Sequence, residues 1–181
     1  MEKFISAAGN VGADVEVLAN LEDLVAYIDD RIDGSLMISS CPSLVRAGVP
    51  ARLKAAGLDL VDEDFRSRGA DAAAGLTGAN FGIAATGTVV LESTDEAVRI
   101  TTTLPEKHFV LLDPRKILAT ADEAVPLLND FHEQLPQAYL AYITGPSRTA
   151  DIERVLTIGV HGPAELHILL LEGVSEDLME R

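Results

Sequence analysis

The sequence predicts an α/β fold, a single-domain layered α/β sandwich in which a mixed sheet carries helices on both faces. The first observation is that apolar runs of strand length alternate with stretches whose apolar residues recur at helical spacing. The second is that 48% of the 181 residues are hydrophobic, which is enough for one substantial core. No repeat, low-complexity tract or linker divides the chain, so residues 1–181 are expected to form one domain.

The first third of the chain predicts wound β-α-β units. The strands expected from short apolar runs lie at residues 15–19, 35–39 and 58–61. Between the first two strands the sequence predicts an amphipathic helix, whose apolar stripe consists of Leu21, Leu24, Val25, Ile28 and Ile32. A second helical region, residues 43–56, is interrupted by Pro50 and ended by Gly57.

The middle of the chain changes character, because extended runs follow one another with little helix between them. Residues 72–78 are small and are expected to be flexible. The strands expected after them lie at residues 83–92, 97–104 and 108–112. A helix is then predicted over residues 120–135, and its apolar face consists of Ala124, Leu128, Phe131 and Leu135.

The last third places polar residues where predicted elements end. Glycine and proline end a buried strand at residues 145–146, and a helix is expected to begin near residues 149–150. A second turn at His161 leads into another buried strand at residues 166–171. Binding sites of α/β proteins lie where regular elements end, so this region is the predicted site.

The turn before the expected helix offers groups that bind anions. Thr149 is a good N-cap, and Ser147 and Arg148 lie beside the free N–H groups of the first helical turn, which suits a carboxylate or phosphate. Asp151 and Glu153 lie in the first two turns of the same helix and can satisfy its dipole from within the protein. The sequence therefore leaves an anion site and an internally paired helix start open.

Three blocks of sequence identify a family. One comprises Ile143-Thr-Gly-Pro-Ser-Arg-Thr-Ala-Asp-Ile-Glu153 and Gly159-Val-His-Gly-Pro163. The others are Asn80-Phe-Gly-Ile-Ala-Ala-Thr-Gly-Thr-Val-Val-Leu-Glu92 and Thr103-Leu-Pro-Glu-Lys-His-Phe-Val110. In their amino-acid sequence and in their order along the chain, the three blocks resemble the LUD-domain proteins, the LutC/YkgG family of lactate utilization proteins. The preceding residues resemble the family only in their pattern of elements, and its usual long helical N-terminal extension is expected to be absent.

The resemblance implies a fold of the NagB/RpiA/CoA-transferase-like group and a role in the bacterial oxidation of L-lactate to pyruvate. The implied partners are the iron-sulfur oxidoreductase subunits of that system, which carry the electrons. This chain is then expected to contribute an interaction surface and a small anion-binding pocket around Arg148, Thr149 and His161. Its single cysteine, Cys41, is too few to hold a cluster, so no cofactor is expected on this chain.

A second hypothesis is a stand-alone CoA-transferase-like enzyme that acts on a small anionic substrate. In it Glu92 or His108 is the chemical group, and the turn at residues 147–149 clamps the anion. Glu92 also fits a solvated carboxylate at the end of a strand. The enzyme hypothesis requires these polar groups to converge in one pocket.

Thr86-Gly87-Thr88 joins two apolar extended pieces and is a further candidate for ligand binding. Glycine lets the backbone approach a ligand closely, and both threonines offer hydroxyl groups. A glycine bulge or strand turn, with threonines that merely suit β-structure, explains the same residues. Both interpretations stay open.

The four histidines differ in their expected roles. His161 lies at a turn and is expected to contact the site, and with Glu92 and His108 it is a candidate catalytic group. His108 opens an apolar strand, where function and structure are equally open. His167 alternates within an apolar strand and is expected to be a satisfied interior residue, whereas His132 lies on the polar face of a helix.

Charge and composition exclude several classes of function. The formal net charge of -15 and the absence of a basic stripe argue against nucleic-acid binding. No apolar run matches a bilayer and the N-terminus has no signal-peptide pattern, so a cytoplasmic protein is expected. The histidine spacing offers no metal site, and no P-loop or G-x-G-x-x-G pattern follows a strand. The oligomeric state stays open, a homo-oligomer included.

Overall fold

A computed structural model describes residues 1–135, 137–150 and 156–180. The helices are α1 (Glu2–Asn10), α2 (Leu21–Asp29), α3 (Pro42–Arg46), α4 (Val49–Ala55), α5 (Phe65–Arg68), α6 (Glu96–Thr103) and α7 (Val125–Gln134). The strands are β1 (Asp14–Leu18), β2 (Leu36–Ile38), β3 (Leu60–Val61), β4 (Ala74–Gly78), β5 (Phe81–Ile83), β6 (Thr88–Glu92), β7 (Lys107–Leu112), β8 (Ile117–Leu118), β9 (Leu140–Ile143), β10 (Arg148–Ala150), β11 (Leu156–Ile158) and β12 (Glu165–Leu171). This alternation confirms the predicted α/β class.

Six strands form a fully parallel sheet in the order β1-β12-β7-β4-β2-β3. The strands β7 and β12 are almost continuously buried, because both faces of the sheet are covered. Their side chains alternate between the faces. Leu169 belongs to the core cluster that contains Leu24 of α2, whereas Ile168 belongs to the cluster that contains Phe4 of α1.

The remaining strands form a smaller mixed sheet, β8-β5-β6-β9, and a separate antiparallel hairpin of β10 and β11. Val89 of β6 packs in the same cluster as Phe4 and Ile168, between the two sheets. The neighbouring Val90 points to the other side and shares a cluster with Phe131 of α7. The strands predicted for one mixed sheet are thus divided between two packed sheets, with α2 and α7 on the outer faces and α1 and α6 packed in the cluster between the sheets.

Most elements of the first third and the ends of the chain agree with the sequence predictions to within a few residues. The helical region predicted at 43–56 breaks at Gly48, which has φ 73°, and Pro50 lies in the first turn of α4. The predicted helix at 120–135 begins with a 3-10 turn and continues as α7. Helix α1 has no counterpart among the sequence predictions.

Residues 97–104, predicted as a strand, lie in helix α6 and its C-terminal cap. Asp95 caps this helix by accepting a hydrogen bond from the Ala97 N–H at 2.8 Å. The Thr101 hydroxyl donates to the Ala97 carbonyl at 2.7 Å, so the threonine run is accommodated within the helix. The strand prediction was wrong because a cap and tertiary packing outweigh a weak local preference.

The small residues at 72–78, predicted to be flexible, include strand β4 in the interior of the parallel sheet. Gly75 lies directly under α6, where a Cβ atom would stand 2.2 Å from the Thr101 carbonyl oxygen. The prediction was wrong because the residues are small to allow this close packing, not to allow motion.

Two further predictions are corrected by strand pairing. Residues 83–92 are not one strand, because β5 ends at Ile83 and pairs antiparallel with β6 around a turn that contains Gly87, which has φ 66°. The helix expected from residues 149–150 is wrong at its start, because Arg148–Ala150 pairs antiparallel with Leu156–Ile158. Asp151 and Glu153, the expected internal partners of that helix, lie outside the described residues.

Across residues 1–135, 137–150 and 156–180, none of the helices combines the length and the apolar character needed to cross a membrane.

Candidate functional site

A cavity of about 260 Å³, which we call the Ser147 cavity, lies beside the turn that the sequence singles out. Its lining includes Thr102, Thr103, His108, Thr144, Ser147 and His161. The Ser147 N–H donates to the Pro163 carbonyl at 2.9 Å, and the Ser147 carbonyl accepts from the Gly159 N–H at 2.9 Å. The two halves of the C-terminal block are therefore joined side by side, and Ser147 and His161 share one cavity as the sequence suggested.

His108 lies at the bottom of this cavity and is 1% exposed. Its Nε2 atom is 2.9 Å from the Thr77 hydroxyl oxygen. Burial lowers the pKa of His108 to about 3, and the nearby His167 contributes in the same direction. The ring is therefore neutral at physiological pH and acts as a hydrogen-bond partner of Thr77.

The Thr86-Gly87-Thr88 turn contacts the lining of the Ser147 cavity through Thr144. Its hydroxyls form a chain, in which Thr88 Oγ1 lies 2.7 Å from Thr86 Oγ1 and 2.8 Å from Thr144 Oγ1. A Cβ atom at Gly87 would stand 2.2 Å from the backbone nitrogen of Ala8, so glycine is required for contact with α1. The turn is thus built for packing, and its link to the cavity runs through Thr144.

Arg148 and Thr149 do not line the Ser147 cavity. The Arg148 guanidinium donates a hydrogen bond to the carbonyl of Val11, which caps the C-terminal end of α1. A cation at this end of a helix is favoured by the helix dipole. Thr149 lies in β10 opposite Thr157 of β11. The structure therefore places Ser147 and His161 on one cavity and directs Arg148 away from it to α1.

Glu92 lies at the opposite end of β6 from Thr88, outside the Ser147 cavity. Its carboxylate accepts a hydrogen bond from the Thr94 N–H at 2.8 Å, and its own N–H donates to Asn80 Oδ1 at 2.6 Å. The enzyme hypothesis joins Glu92 or His108 to a clamp at residues 147–149. The structure brings His108 near Ser147 but in a buried neutral form, and it keeps Glu92 away.

A second cavity, of about 190 Å³, was missed by sequence reasoning. This Ser39 cavity is lined by Ser39, Cys41, Thr77, Asn80, Glu92, Asp95 and Glu180, among others. It lies at the carboxyl ends of β2 and β4, the usual position of a ligand in an open parallel sheet. A signal exists in the sequence, because Ser39 and Ser40 directly follow β2, and Thr77 and Asn80 lie at the end of β4 and just after it.

Asp113, directly after β7, organises the same end of the sheet. Its Oδ2 atom accepts hydrogen bonds from three consecutive backbone N–H groups, those of Gly173 at 2.8 Å, Val174 at 3.0 Å and Ser175 at 3.3 Å. Arg115 adds a charge-assisted bond at 2.8 Å. Burial opposes the charge, but these donors outweigh it and lower the pKa of Asp113 to about 2. Residues 173–175 are thereby anchored over the edge.

Among the described residues, no group of three or more His, Cys, Asp or Glu side chains is arranged to hold a metal ion. His167, expected to be a satisfied interior residue, is 4% exposed. Its ring nitrogens lie 3.1 Å from the Tyr27 hydroxyl and 3.0 Å from the Glu165 carboxylate. That expectation is confirmed.

Comparison with known families decides the relationship of the chain. The family model of the LUD domain matches residues 1–171. The chain belongs to the LUD-domain family. A crystal structure of a duf162 family protein from Deinococcus radiodurans has the same fold, with a TM-score of 0.67 at 21% sequence identity, and the match covers 93% of this chain and 94% of that one.

Curated relatives match parts of this LUD domain. An uncharacterized protein of Neisseria meningitidis is 40% identical over 54% of this chain. Lactate utilization protein C of Deinococcus radiodurans is 32% identical over 71% of it, and the uncharacterized Escherichia coli protein YkgG is 31% identical over 77%. The chain spans 42%, 61% and 64% of these three relatives, so it corresponds to about two fifths to two thirds of their lengths.

Two of the three sequence blocks of the family line one cavity in this LUD domain. Thr103 and His108 from one block and Ser147 and His161 from another line the Ser147 cavity. The remaining block reaches it through Thr88, which bonds to Thr144 of the lining. Two of the blocks therefore line this cavity at the amino ends of β7 and β12, whereas Asn80 and Glu92 of the remaining block line the Ser39 cavity.

Proposed function

We propose that this LUD domain serves in bacterial L-lactate utilization, as a cytoplasmic component that works with iron-sulfur partner proteins in the oxidation of lactate to pyruvate. The observation that carries the proposal is its family membership together with relatives named Lactate utilization protein C, one of them matched over 71% of the chain. Family blocks that meet at one cavity agree with a shared ligand or partner rather than with a shared fold alone.

The ligand in this proposal is a small anion held in the Ser147 cavity. Ser147 and His161 are the contacts, because both line it and belong to the block that identifies the family. Thr86, Gly87 and Thr88 hold the wall through Thr144. Arg148 and Thr149 do not contact the ligand in this proposal. Thr149 belongs to the hairpin that follows Ser147, and Arg148 holds this hairpin against the end of α1.

Electron transfer belongs to the partners in this proposal. The chain has one cysteine, and an iron-sulfur cluster needs about four protein ligands, most of them cysteine. The LUD domain then binds a small molecule or a partner surface and leaves redox chemistry to cluster-bearing subunits. It carries no cofactor of its own.

Gene deletion and affinity capture test the role. Deleting the gene in its native host is expected to abolish growth on L-lactate and to leave growth on glucose unchanged. A tagged chain from lactate-grown cells is expected to retain proteins with the visible absorbance of iron-sulfur clusters. Normal growth of the deletion strain on L-lactate, with no cluster protein captured, would refute the proposal.

Variants of the cavity test the site separately. Ser147→Ala and His161→Ala are expected to weaken L-lactate binding and to complement the deletion poorly. The matched control is His132→Ala, on the exposed polar side of α7, which is expected to complement fully. If His161→Ala and Ser147→Ala complement as well as His132→Ala, the Ser147 cavity is not the site.

A further inference from the structure

The Ser39 cavity lies where four neighbouring strands of the parallel sheet end. Residues 39–41 follow β2, Asn80 follows β4, residues 113–116 follow β7 and residues 172–180 follow β12. Loops that converge at the carboxyl edge of a parallel sheet form the usual binding crevice of α/β proteins. In this chain the last of these segments lies across that crevice.

The segment 172–180 is held over the cavity at two points. Asp113 accepts the three N–H bonds from its beginning, as described above. At its other end the Asn80 side-chain amide donates to the carbonyls of Glu180 at 2.6 Å and Leu178 at 3.3 Å. The family model ends at residue 171, so this covering segment lies outside the matched region.

Glu180 lines the cavity, and its carboxylate pairs with two cations next to the lining, the exposed Arg46 and the buried Lys116. Its carboxylate lies 2.8 Å from Arg46 Nη2 and 3.8 Å from Lys116 Nζ. Its side chain is 5% exposed and that of Lys116 is 3% exposed, so the pair is withdrawn from water. Lys116 Nζ also donates to the Asp177 carbonyl at 3.1 Å. Buried charges are costly, which favours a functional reason for a lysine at this position.

The wall of the cavity holds an unpaired polar group. Ser39 is 2% exposed, and its hydroxyl has no hydrogen-bond partner among the described residues. Buried hydroxyls are almost always bonded, so this one indicates a ligand group that completes it. Cys41 and Thr77 line the cavity beside it. A Cβ atom at Gly78 would stand 2.6 Å from the Cys41 sulfur, so glycine keeps this wall open.

Two carboxylates, those of Glu92 and Asp95, also line the cavity. Glu92 accepts from the Thr94 N–H at 2.8 Å, and Asp95 accepts from the Ala97 N–H at 2.8 Å. Each therefore has one oxygen bound to backbone. Their remaining oxygens suit a hydroxyl or ammonium donor on a ligand, while the negative end of that ligand belongs beside Arg46 and Lys116.

We propose that the Ser39 cavity is a binding site for a small carboxylic acid with a hydroxyl or amino group, and that Glu180 occupies its carboxylate position in this structure. Arg46 and Lys116 bind the carboxylate, and Ser39, Glu92 and Asp95 receive the polar group. The segment 172–180 competes with the ligand through Glu180, so the ligand must displace this segment to bind. The proposal concerns a different cavity from the Ser147 cavity and does not rest on the lactate role.

Calorimetric titration with L-lactate as the probe tests the proposal. A tethered carboxylate reduces the fraction of open sites, so Glu180→Gln is expected to bind L-lactate at least about tenfold more tightly than the wild type. Glu172→Gln removes the same charge from an exposed position of the segment and is expected to bind like the wild type. Propionate, which lacks the hydroxyl, is expected to bind Glu180→Gln more weakly than L-lactate, and equal binding overturns the polar part of the site.

Two double variants show which cavity is responsible for the tighter binding of L-lactate by Glu180→Gln. Adding Lys116→Met to Glu180→Gln is expected to abolish it, whereas adding His161→Ala is expected to leave it intact. Loss of the gain with His161→Ala would assign the binding to the Ser147 cavity and overturn the proposal. An unchanged affinity in a folded Glu180→Gln variant would also overturn it, because Glu180 is then only a structural partner of Lys116.

Hydrogen exchange of the wild type supplies a test that needs no variant. High concentrations of L-lactate are expected to accelerate exchange of the Ser175 and Asp177 amides, whose bonds to Asp113 and to the Ser175 hydroxyl hold the segment. Exchange is measured by mass spectrometry, with the amides of β12 as the internal control that is expected not to change. If the protection of the Ser175 and Asp177 amides is also unchanged, the ligand does not displace the segment and the proposal is overturned.

Discussion

The two ends of the parallel sheet differ in what they reveal. The Ser147 cavity, at the amino ends of β7 and β12, is lined by residues that identify the family, yet none of its described lining residues is Lys or Arg. The Ser39 cavity, at the carboxyl ends, is lined by an unpaired hydroxyl and by Glu180, which pairs with the buried Lys116, and the segment beyond the family match covers it. Two of the family blocks thus line the cavity at the amino ends, whereas Asn80 and Glu92 of the remaining block line the cavity at the carboxyl ends, beside the buried lysine.

The difference teaches that a family motif locates shared structure more surely than it locates ligand chemistry. Thr88, Gly87 and Arg148 all belong to the motif blocks, and in the structure each one packs or bonds within the protein. Lys116 and Glu180 belong to none of the blocks. The polar groups at the carboxyl edge are brought together by the loops that follow separate strands.

The two ends are also expected to respond to acid in different pH ranges, and His108 gives the larger effect. Its pKa is about 3 in the folded protein, so the unfolded chain binds the proton first as the pH falls below about 6.5. Stability is then lost at about 1.4 kcal/mol per pH unit, or about 3 kcal/mol between pH 6.5 and pH 4. His108→Gln is expected to flatten this part of the curve.

Urea unfolding at a series of pH values measures the His108 effect. His132→Gln, which changes an exposed histidine, is the control and is expected to follow the wild-type curve. A wild-type slope that survives in His108→Gln would mean that the amino end of the sheet does not contain the responsible group.

Asp113 is expected to give the next largest effect, at the carboxyl end. Asp113→Asn removes a buried charge that accepts three N–H bonds, and the expected loss of unfolding free energy is about 2 kcal/mol at neutral pH. The folded pKa of Asp113 is about 2, below its ordinary value, so its contribution is complete above about pH 4 and disappears as the pH falls toward 2.

Comparing Asp113→Asn with Asp33→Asn at pH 7 and at pH 2.5 measures this effect. Asp33 is exposed, so its variant is expected to match the wild type at both pH values. The deficit of Asp113→Asn is expected to shrink at the lower pH, and hydrogen exchange of residues 173–175 is expected to increase. A deficit that stays constant with pH would contradict the assigned pKa.

Arg148 gives the smallest of the three effects and separates structure from binding. Its guanidinium bonds to the Val11 carbonyl and does not line the Ser147 cavity, so Arg148→Ala is expected to lower the unfolding free energy by about 1 kcal/mol. Affinity for L-lactate is expected to stay unchanged. Thermal melts and titrations of Arg148→Ala beside Lys3→Ala, an exposed cation of α1, measure both quantities.

A different result at Arg148 would restore the anion clamp that the sequence suggested. Two charge-assisted hydrogen bonds to a ligand are worth roughly 1.5 to 3 kcal/mol, so a clamp predicts a large loss of affinity with little change in melting temperature. The two outcomes are opposite, and one variant distinguishes them.

The sequence predicted those parts of the fold in which local preference and tertiary packing agree. The apolar stripe of α2 and the buried run of β12 lie where periodicity indicates them. It failed at α6, where β-branched residues favour a strand but Asp95 caps a helix and Gly75 lets that helix lie on β4. It failed at β10 because the pairing with β11 is not visible in local composition.

The candidate sites divide in the same way. The joining of Ser147 and His161 could be expected, because both belong to one block with turn residues on either side. The meeting of Ser39, Asn80, Lys116 and Glu180 could not be derived from spacing, since the first and last are far apart in the chain. Only the order of the parallel strands brings these four loops to one edge.

The sequence by itself determined the α/β class, the family and the net charge, because hydrophobic periodicity, sequence motifs and composition are properties of the linear chain. The tertiary structure alone decided which polar groups face each other, which are buried, and which end of the sheet carries the buried Lys116. The physical reason is that desolvation and pairing depend on neighbours in space. Arg148 bonded to Val11 and Glu180 bonded to Arg46 are both decided by such neighbours.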